Sequence, residues 1–192
     1  MKANYYNKSQ TALNIAELTT VLQSLDCCFN EIEFGFAAIS SALSMGAKIM
    51  TAGNGGSAVD ALHLAEELIG KFEQERLAYP AICISADSTV ITCIGNDYGF
   101  DQVFSRQVQG LGRNGDVLVV FSTSGESKNI CNALVQARDS GVKTIALLGK
   151  SGGKARSLSD IAIVVPSEST ARIQEVHTLV LHTWLAMLEE VR

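Results

Sequence analysis

Five short apolar runs set the rhythm of the chain: AKIMTAG at 47–53, YPAICIS at 79–85, DVLVVFS at 116–122, KTIALLG at 143–149 and IAIVVP at 161–166. Each is rich in Val, Ile, Leu, Ala or Cys and lacks clean polar alternation, which is how strands covered on both faces read. Segments of helical period lie between them, at 57–70, 100–111 and 126–139. The alternation predicts a parallel sheet with right-handed crossovers. The expected fold is α/β: a three-layer, doubly wound domain of the flavodoxin or Rossmann kind, with five strands in its middle layer. Two helical stretches fall outside this core. Residues 8 to about 45 read as one long helix or two, lying on the sheet or against another subunit, and 170–192 reads as a closing helix. The chain is therefore read as one domain over 1–192, with a helical region at 1–45 and an α/β core with its last helix at 46–192.

Composition narrows the function classes. A chain of 192 residues suits one domain, and 47% hydrophobic residues with two prolines argue against a disordered chain. A net charge of −5 gives no footprint for nucleic acid. An anionic ligand must then be held by local dipoles and a few chosen side chains. The five cysteines, Cys27, Cys28, Cys83, Cys93 and Cys131, are odd in number and include no C-x-x-C pair. They are expected to be reduced thiols of a cytosolic protein. The polar N-terminus lacks the apolar stretch of a signal peptide, and no run of about 18 apolar residues would span a membrane. A cytoplasmic protein without a membrane partner is expected.

Chemistry in an open parallel sheet belongs beyond the carboxyl ends of the strands. The first run continues into AGNGGSAVD. Its glycines Gly53, Gly55 and Gly56 permit close backbone approach, and Ser57 can cap the next helix, which together make an anion nest. The loop is neither G-x-G-x-x-G nor a P-loop, and a tight strand-to-helix turn explains it as well. After the third run, STSGES carries Ser122, Thr123, Ser124 and Ser127 around Gly125 just before a helix. Four hydroxyls at a positive helix end favour a phosphate cradle over ordinary capping. In GNDYGF, Asn96 and Asp97 read as a turn that could also meet sugar hydroxyls.

Two further patterns lie on helices. In DALHLAEELIG, at 60–70, His63 and Glu67 share one face at i and i+4. Spacing alone allows a surface ion pair, a core histidine with a partner, or a site. In the closing helix, Gln174, Thr178 and His182 align at i, i+4 and i+8, while His177 is out of step and is expected elsewhere on the surface. Gln174 and His182 would stand roughly 12 Å apart along the axis. That separation leaves a shared metal open, and a satisfied core histidine is the plainer reading of His182.

The segments AGNGGSAVDALHLAEELIGKF, YPAI, GNDYGF, STSGES and RIQEVHTLVLH, in this order, resemble the phosphoheptose isomerases, sedoheptulose 7-phosphate isomerases of the sugar isomerase (SIS) domain family. The resemblance runs from about residue 47 to the end. STSG-x-S marks only the superfamily, whereas H-x-x-x-E after GNGGS paired with RIQE-x-H-x-x-x-x-H is far more specific. The resemblance implies interconversion of sedoheptulose 7-phosphate and D-glycero-D-manno-heptose 7-phosphate for lipopolysaccharide core or related glycans. It implies a homotetramer with sites at subunit interfaces, and a zinc ion held by His63, Glu67, Gln174 and His182. Glu67 becomes the candidate base and His182 its acid/base partner. The implied substrate contacts are Asn54, Gly55, Gly56, Glu67, Asn96, Asp97, Ser122, Thr123, Ser124, Ser127 and Gln174. One position departs: where some members carry aspartate before the Arg of RIQE, this chain has Ala171. A rival branch of SIS proteins consists of non-catalytic tetramers that bind a replication initiator. It shares YPAI and an ARIQE-like segment, but the intact set of four polar residues distinguishes this chain from it.

Overall fold

A computed structural model describes residues 8–190. Five strands form one sheet in the order β2-β1-β3-β4-β5: β1 Ile49–Gly53, β2 Ala81–Cys83, β3 Val117–Ser122, β4 Lys143–Gly149 and β5 Ile161–Val165. Every pairing is parallel. This is the flavodoxin-like order, and the strand sequence reverses direction between β1 and β3.

Period-two alternation sends each strand's side chains to two cores. Ile49, Val117, Val119, Phe121, Ile145, Leu147 and Ile163 face one layer of helices. Met50, Leu118, Val120, Ala146 and Leu148 face the other. The first layer holds α1 Lys8–Gln23, α2 Phe29–Ser44, α3 Gly56–Ile69 and α8 Thr170–Glu190. The second holds α4 Ser88–Tyr98, α5 Ser105–Leu111, α6 Lys128–Asp139 and α7 Gly153–Leu158. The N-terminal helical region is two helices joined by a 3-10 turn, Leu25–Cys28. Trp184 of α8 is fully buried and donates its indole N–H to the Ile32 carbonyl at 2.9 Å, pinning α8 to α2. All five cysteines stand free.

Three expectations need correction. GNDYGF is not simply a turn: residues 88–98 are helical, capped by the Asp87 carboxylate, which accepts the N–H groups of Thr89 and Val90. The β-branched run Val90–Thr92 hid this helix, which packs Val90, Ile91 and Ile94 on the second core. The helix expected over 100–111 is instead a 3-10 turn, Phe100–Gln102, followed by α5. His177 is the third correction. It is fully buried, with Nε2 3.2 Å from the Leu148 carbonyl and its ring edge-on to Phe121. The helical wheel placed His177 off the Gln174 face correctly. That other face, however, lies on the sheet and not in water, because α8 is covered on more than one side.

Candidate active site

The site is built where β1 and β3 diverge. Beyond β1, the Asn54 amide exchanges two 2.9 Å hydrogen bonds with the buried Asn129 amide of α6. This reciprocal pair ties the first loop to the third across the switch point. In the sequence Asn129 is one more polar residue in an amphipathic helix; only the strand order shows its role. Beside the pair lies a cavity of about 130 Å³ lined by Asn54, Ser57, Phe121, Ser122, Thr123, Ser124 and Ser127. The hydroxyls there divide in use. Ser122 Oγ accepts the Gly125 N–H at 3.1 Å, and Ser124 Oγ accepts the Glu126 N–H at 3.2 Å, so both shape the turn. Ser127 is the residue before α6 yet makes no side-chain capping bond. Among the described residues, the hydroxyls of Thr123 and Ser127 have no partner within the chain, so they are free to meet a ligand at the helix end. Gly125 sits at φ +64°, and a Cβ there would stand 1.9 Å from the Gly152 carbonyl oxygen, so the loop after β4 closes directly over the hydroxyl loop.

α3 and α8 lie side by side and run in the same direction. Their contacts form three rungs at a near-constant offset. At the first, the Gln174 amide presses on Gly56, where a Cβ would be 2.3 Å from Nε2. At the second, the Thr178 hydroxyl lies 3.0 Å from Asp60 Oδ1 and 3.2 Å from the Gln174 carbonyl. At the third, His182 Nε2 faces His63 Nε2 at 3.4 Å, with the rings edge-to-face. Glu67 Oε1 stands 3.5 Å from the same His63 nitrogen. All three of these side chains are half-buried. Asp60 is buried with its second oxygen unpartnered. Burial pushes its carboxyl above the usual range, against the opposing pull of the Thr178 hydroxyl and His63.

Of the sequence candidates, the structure thus gathers His63, Glu67 and His182 at one point. It places Gln174 at the Gly56 end of the seam, beside the first loop. Exposed Glu66 joins His63 and Glu67 in a set whose ligand atoms all lie within 4.8 Å of one another. Its i, i+3 spacing from His63 is the signal that could have found it. Gly55 and Asn54 line a second cavity on the far side of the loop, about 170 Å³ and walled by Ser85, Ile91, Phe100 and Phe104 among others. Asn96 and Asp97 are exposed at the end of α4, where Asn96 Nδ2 donates to Asp97 Oδ1 at 2.7 Å. Neither lines the two cavities beside Asn54.

The SIS domain model matches residues 15–149, more than half of the chain. A phosphoheptose isomerase of Nitratiruptor sp. is 54% identical over 143 residues, covering 74% of this chain and 76% of that protein. One from Pelobacter propionicus is 50% identical over 154 residues, covering 80% and 82%. The chain belongs to the phosphoheptose isomerase family of SIS-domain proteins. Among solved structures, the phosphoheptose isomerase of Neisseria gonorrhoeae superposes with a TM-score of 0.90 at 37% identity, covering 95% of this chain and 98% of that one. That of Francisella tularensis superposes at 0.81 with 36% identity, covering 92% and 98%. Within this family the conjunction of hydroxyl loop and histidine–carboxylate seam marks the candidate active site, and the initiator-binding alternative is not favoured.

Proposed function

We propose that the protein is an aldose–ketose isomerase that interconverts sedoheptulose 7-phosphate and D-glycero-D-manno-heptose 7-phosphate through an enediol. The observation that carries this is the meeting of His63, Glu67 and His182 at the α3–α8 seam, with the free hydroxyls of Thr123 and Ser127 at the neighbouring strand end. Isomerisation needs a base for a carbon-bound proton and an acid at the carbonyl oxygen. Glu67 takes the C1 proton of the ketose and returns it at C2. His182 moves the proton between the two oxygens. The hydroxyl loop and the α6 N-terminus hold the phosphate, while Asn54 and Gln174 orient the carbon chain from the two sides of the glycine loop.

The donor set fits a zinc ion. Two imidazole nitrogens and a carboxylate suit it chemically. Ligands about 2.0–2.1 Å from a tetrahedral centre stand roughly 3.3–3.4 Å apart, close to the 3.4 Å between the two histidine nitrogens and the 3.5 Å from His63 to Glu67. His63, His182 and Glu67 would hold the ion, whereas Gln174, the fourth position of the family pattern, sits two turns away against Gly56; one zinc per subunit is proposed. When bound, it would polarise the substrate carbonyl.

The same reading makes the protein a cytoplasmic homotetramer supplying heptose for lipopolysaccharide core. Exposed apolar side chains on α1 and α2, among them Leu13, Ile15, Phe29 and Phe34, support subunit packing. No helix among the described residues is long and apolar enough to cross a membrane. The test is turnover of sedoheptulose 7-phosphate by purified protein with added zinc, compared with Glu67→Gln. The wild type converts the sugar and the variant loses at least about 10²-fold in kcat. No turnover by the wild type, or near-normal turnover by the variant, would overturn the reading or the role of Glu67 respectively.

A further inference from the structure

The segment between α3 and β2 has little regular structure, yet it is fastened from two sides by buried charge. α3 ends at Gly70, which leaves its last carbonyls in need of donors. Arg76 turns back to supply them. Its Nη2 donates to the Glu67 carbonyl, and its Nη1 donates to the Leu68 carbonyl at 2.7 Å and the Leu77 carbonyl at 3.2 Å. Its guanidinium also lies over the Tyr79 ring, 4.6 Å from the centroid. From α8, the Glu189 carboxylate accepts the backbone N–H groups of Glu73 and Gln74 at 3.2–3.3 Å and faces Arg76 Nε at 3.9 Å. The Arg76 and Glu189 side chains are only 2% and 3% exposed.

A buried pair of this kind is an inefficient way to gain stability, because desolvation offsets most of the attraction. Its effect here is positional. It joins three things: the last turn of α3, which carries Glu67; the end of α8, which carries His182 two turns earlier; and the strap between them. The strap bears Phe72, whose ring lies 5.5 Å from the His182 ring at a 30° tilt, while the His63 ring meets the same imidazole edge-to-face at 4.9 Å.

We propose that Arg76 and Glu189 are positioning residues for the isomerisation: they hold the 71–79 strap so that Phe72 sets the plane of the His182 imidazole against His63 and Glu67. This rests on the isomerase reading for its kinetic consequence but not for its structural one. Glu189→Gln keeps the shape of the side chain while placing an NH2 group where two backbone donors converge. Phe72→Ala removes the ring alone, and Phe72→Tyr restores it.

The chain has only three histidines, so their ring nitrogens can be followed by NMR, with His177 in the core as an internal control. In Glu189→Gln and Phe72→Ala the His182 and His63 ring signals shift while those of His177 stay in place, and Phe72→Tyr resembles the wild type. In parallel, kcat for sedoheptulose 7-phosphate falls roughly 10- to 100-fold with KM within about twofold, the scale of a slightly misplaced reacting group. Unshifted His182 signals in both variants would overturn the proposal, as would movement of all three histidines, or a rise in KM at unchanged kcat. If Glu189→Gln does not fold, Phe72→Ala and Arg76→Lys carry the same test. A wild type without turnover would overturn the isomerase reading alone, because the ring signals read the positioning separately.

Discussion

The Nε2 atoms of His63 and His182 point at each other across 3.4 Å, from two helices that run in parallel. Two neutral imidazoles so placed can share only one proton between these atoms, and a cation between them satisfies both lone pairs. His63→Ala is therefore expected to lower the zinc retained after dialysis by at least about tenfold in affinity. Elemental analysis of wild type and variant checks this; equal metal content in both would remove His63 as a ligand.

The hydroxyl loop makes a separate prediction. Ser122 and Ser124 spend their oxygens on the turn itself, whereas Thr123 and Ser127 do not. Thr123→Val with Ser127→Ala should raise KM for the sugar phosphate by about 100-fold or more, at roughly 1.5 kcal/mol or more for each lost hydrogen bond to a charged group, while the melting temperature stays close to wild type. Ser122→Ala should instead act mainly on stability. Steady-state kinetics alongside thermal melts separate the two, and a KM unchanged in the double variant would move the phosphate elsewhere.

Much of this site was legible in the sequence because its parts sit on strongly periodic elements. The apolar runs at 143–149 and 116–122 became β4 and β3 with shifts of at most one residue, and the helix expected at 57–70 is α3 at Gly56–Ile69. His63 and Glu67 follow from the 3.6-residue period within one helix. What could not be read is contact between elements. The pairing of Asn54 with Asn129 depends on the strand order, and the alignment of Gln174 with Gly56 depends on α8 running parallel to α3. The helix at Ser88–Tyr98 was missed because its β-branched start favours a strand locally, and packing on the second core overrides that preference. His177 was misplaced because periodicity reports relative faces and not what covers them.

The buried His177 should also set an acid limit. Burial pushes its pKa down from 6.5 to about 4, although the Leu148 carbonyl favours the charged form. The unfolded chain therefore binds more protons than the folded one between those values. Stability is fully present above pH 6.5 and is lost as pH falls through the window toward 4. The loss amounts to about 3 kcal/mol. Urea unfolding across this window should show it in the wild type and a flatter profile in His177→Leu. The depressed carboxyls Asp116 and Asp160 act at lower pH, below the ordinary aspartate range: burial would raise both, but for Asp116 the hydrogen bonds from Lys48 and Arg113, and for Asp160 those from Thr144 with the charge of Lys143, more than offset it. Parallel profiles for wild type and variant would exclude His177 as the source.

Gly56 separates folding from function most cleanly. It opens α3 at a backbone conformation open to any residue, so alanine there should be neutral or stabilise the helix by up to about 1 kcal/mol. Yet its Cβ would fall 2.3 Å from Gln174 Nε2, the flexible end of a side chain that can swing away. The swing removes the amide from the glycine loop and leaves the His63–His182 rung two turns further along untouched. Gly56→Ala is thus expected to melt at or above the wild-type temperature, to keep the metal held by His63, Glu67 and His182 within about twofold, and to lose roughly 10- to 100-fold in kcat/KM through misplaced substrate. Thermal melting, elemental analysis and kinetics on the one variant check all three. Full activity would show that Gln174 makes no use of its place against Gly56, and a loss of metal in step with activity would put Gln174 among the ligands that matter.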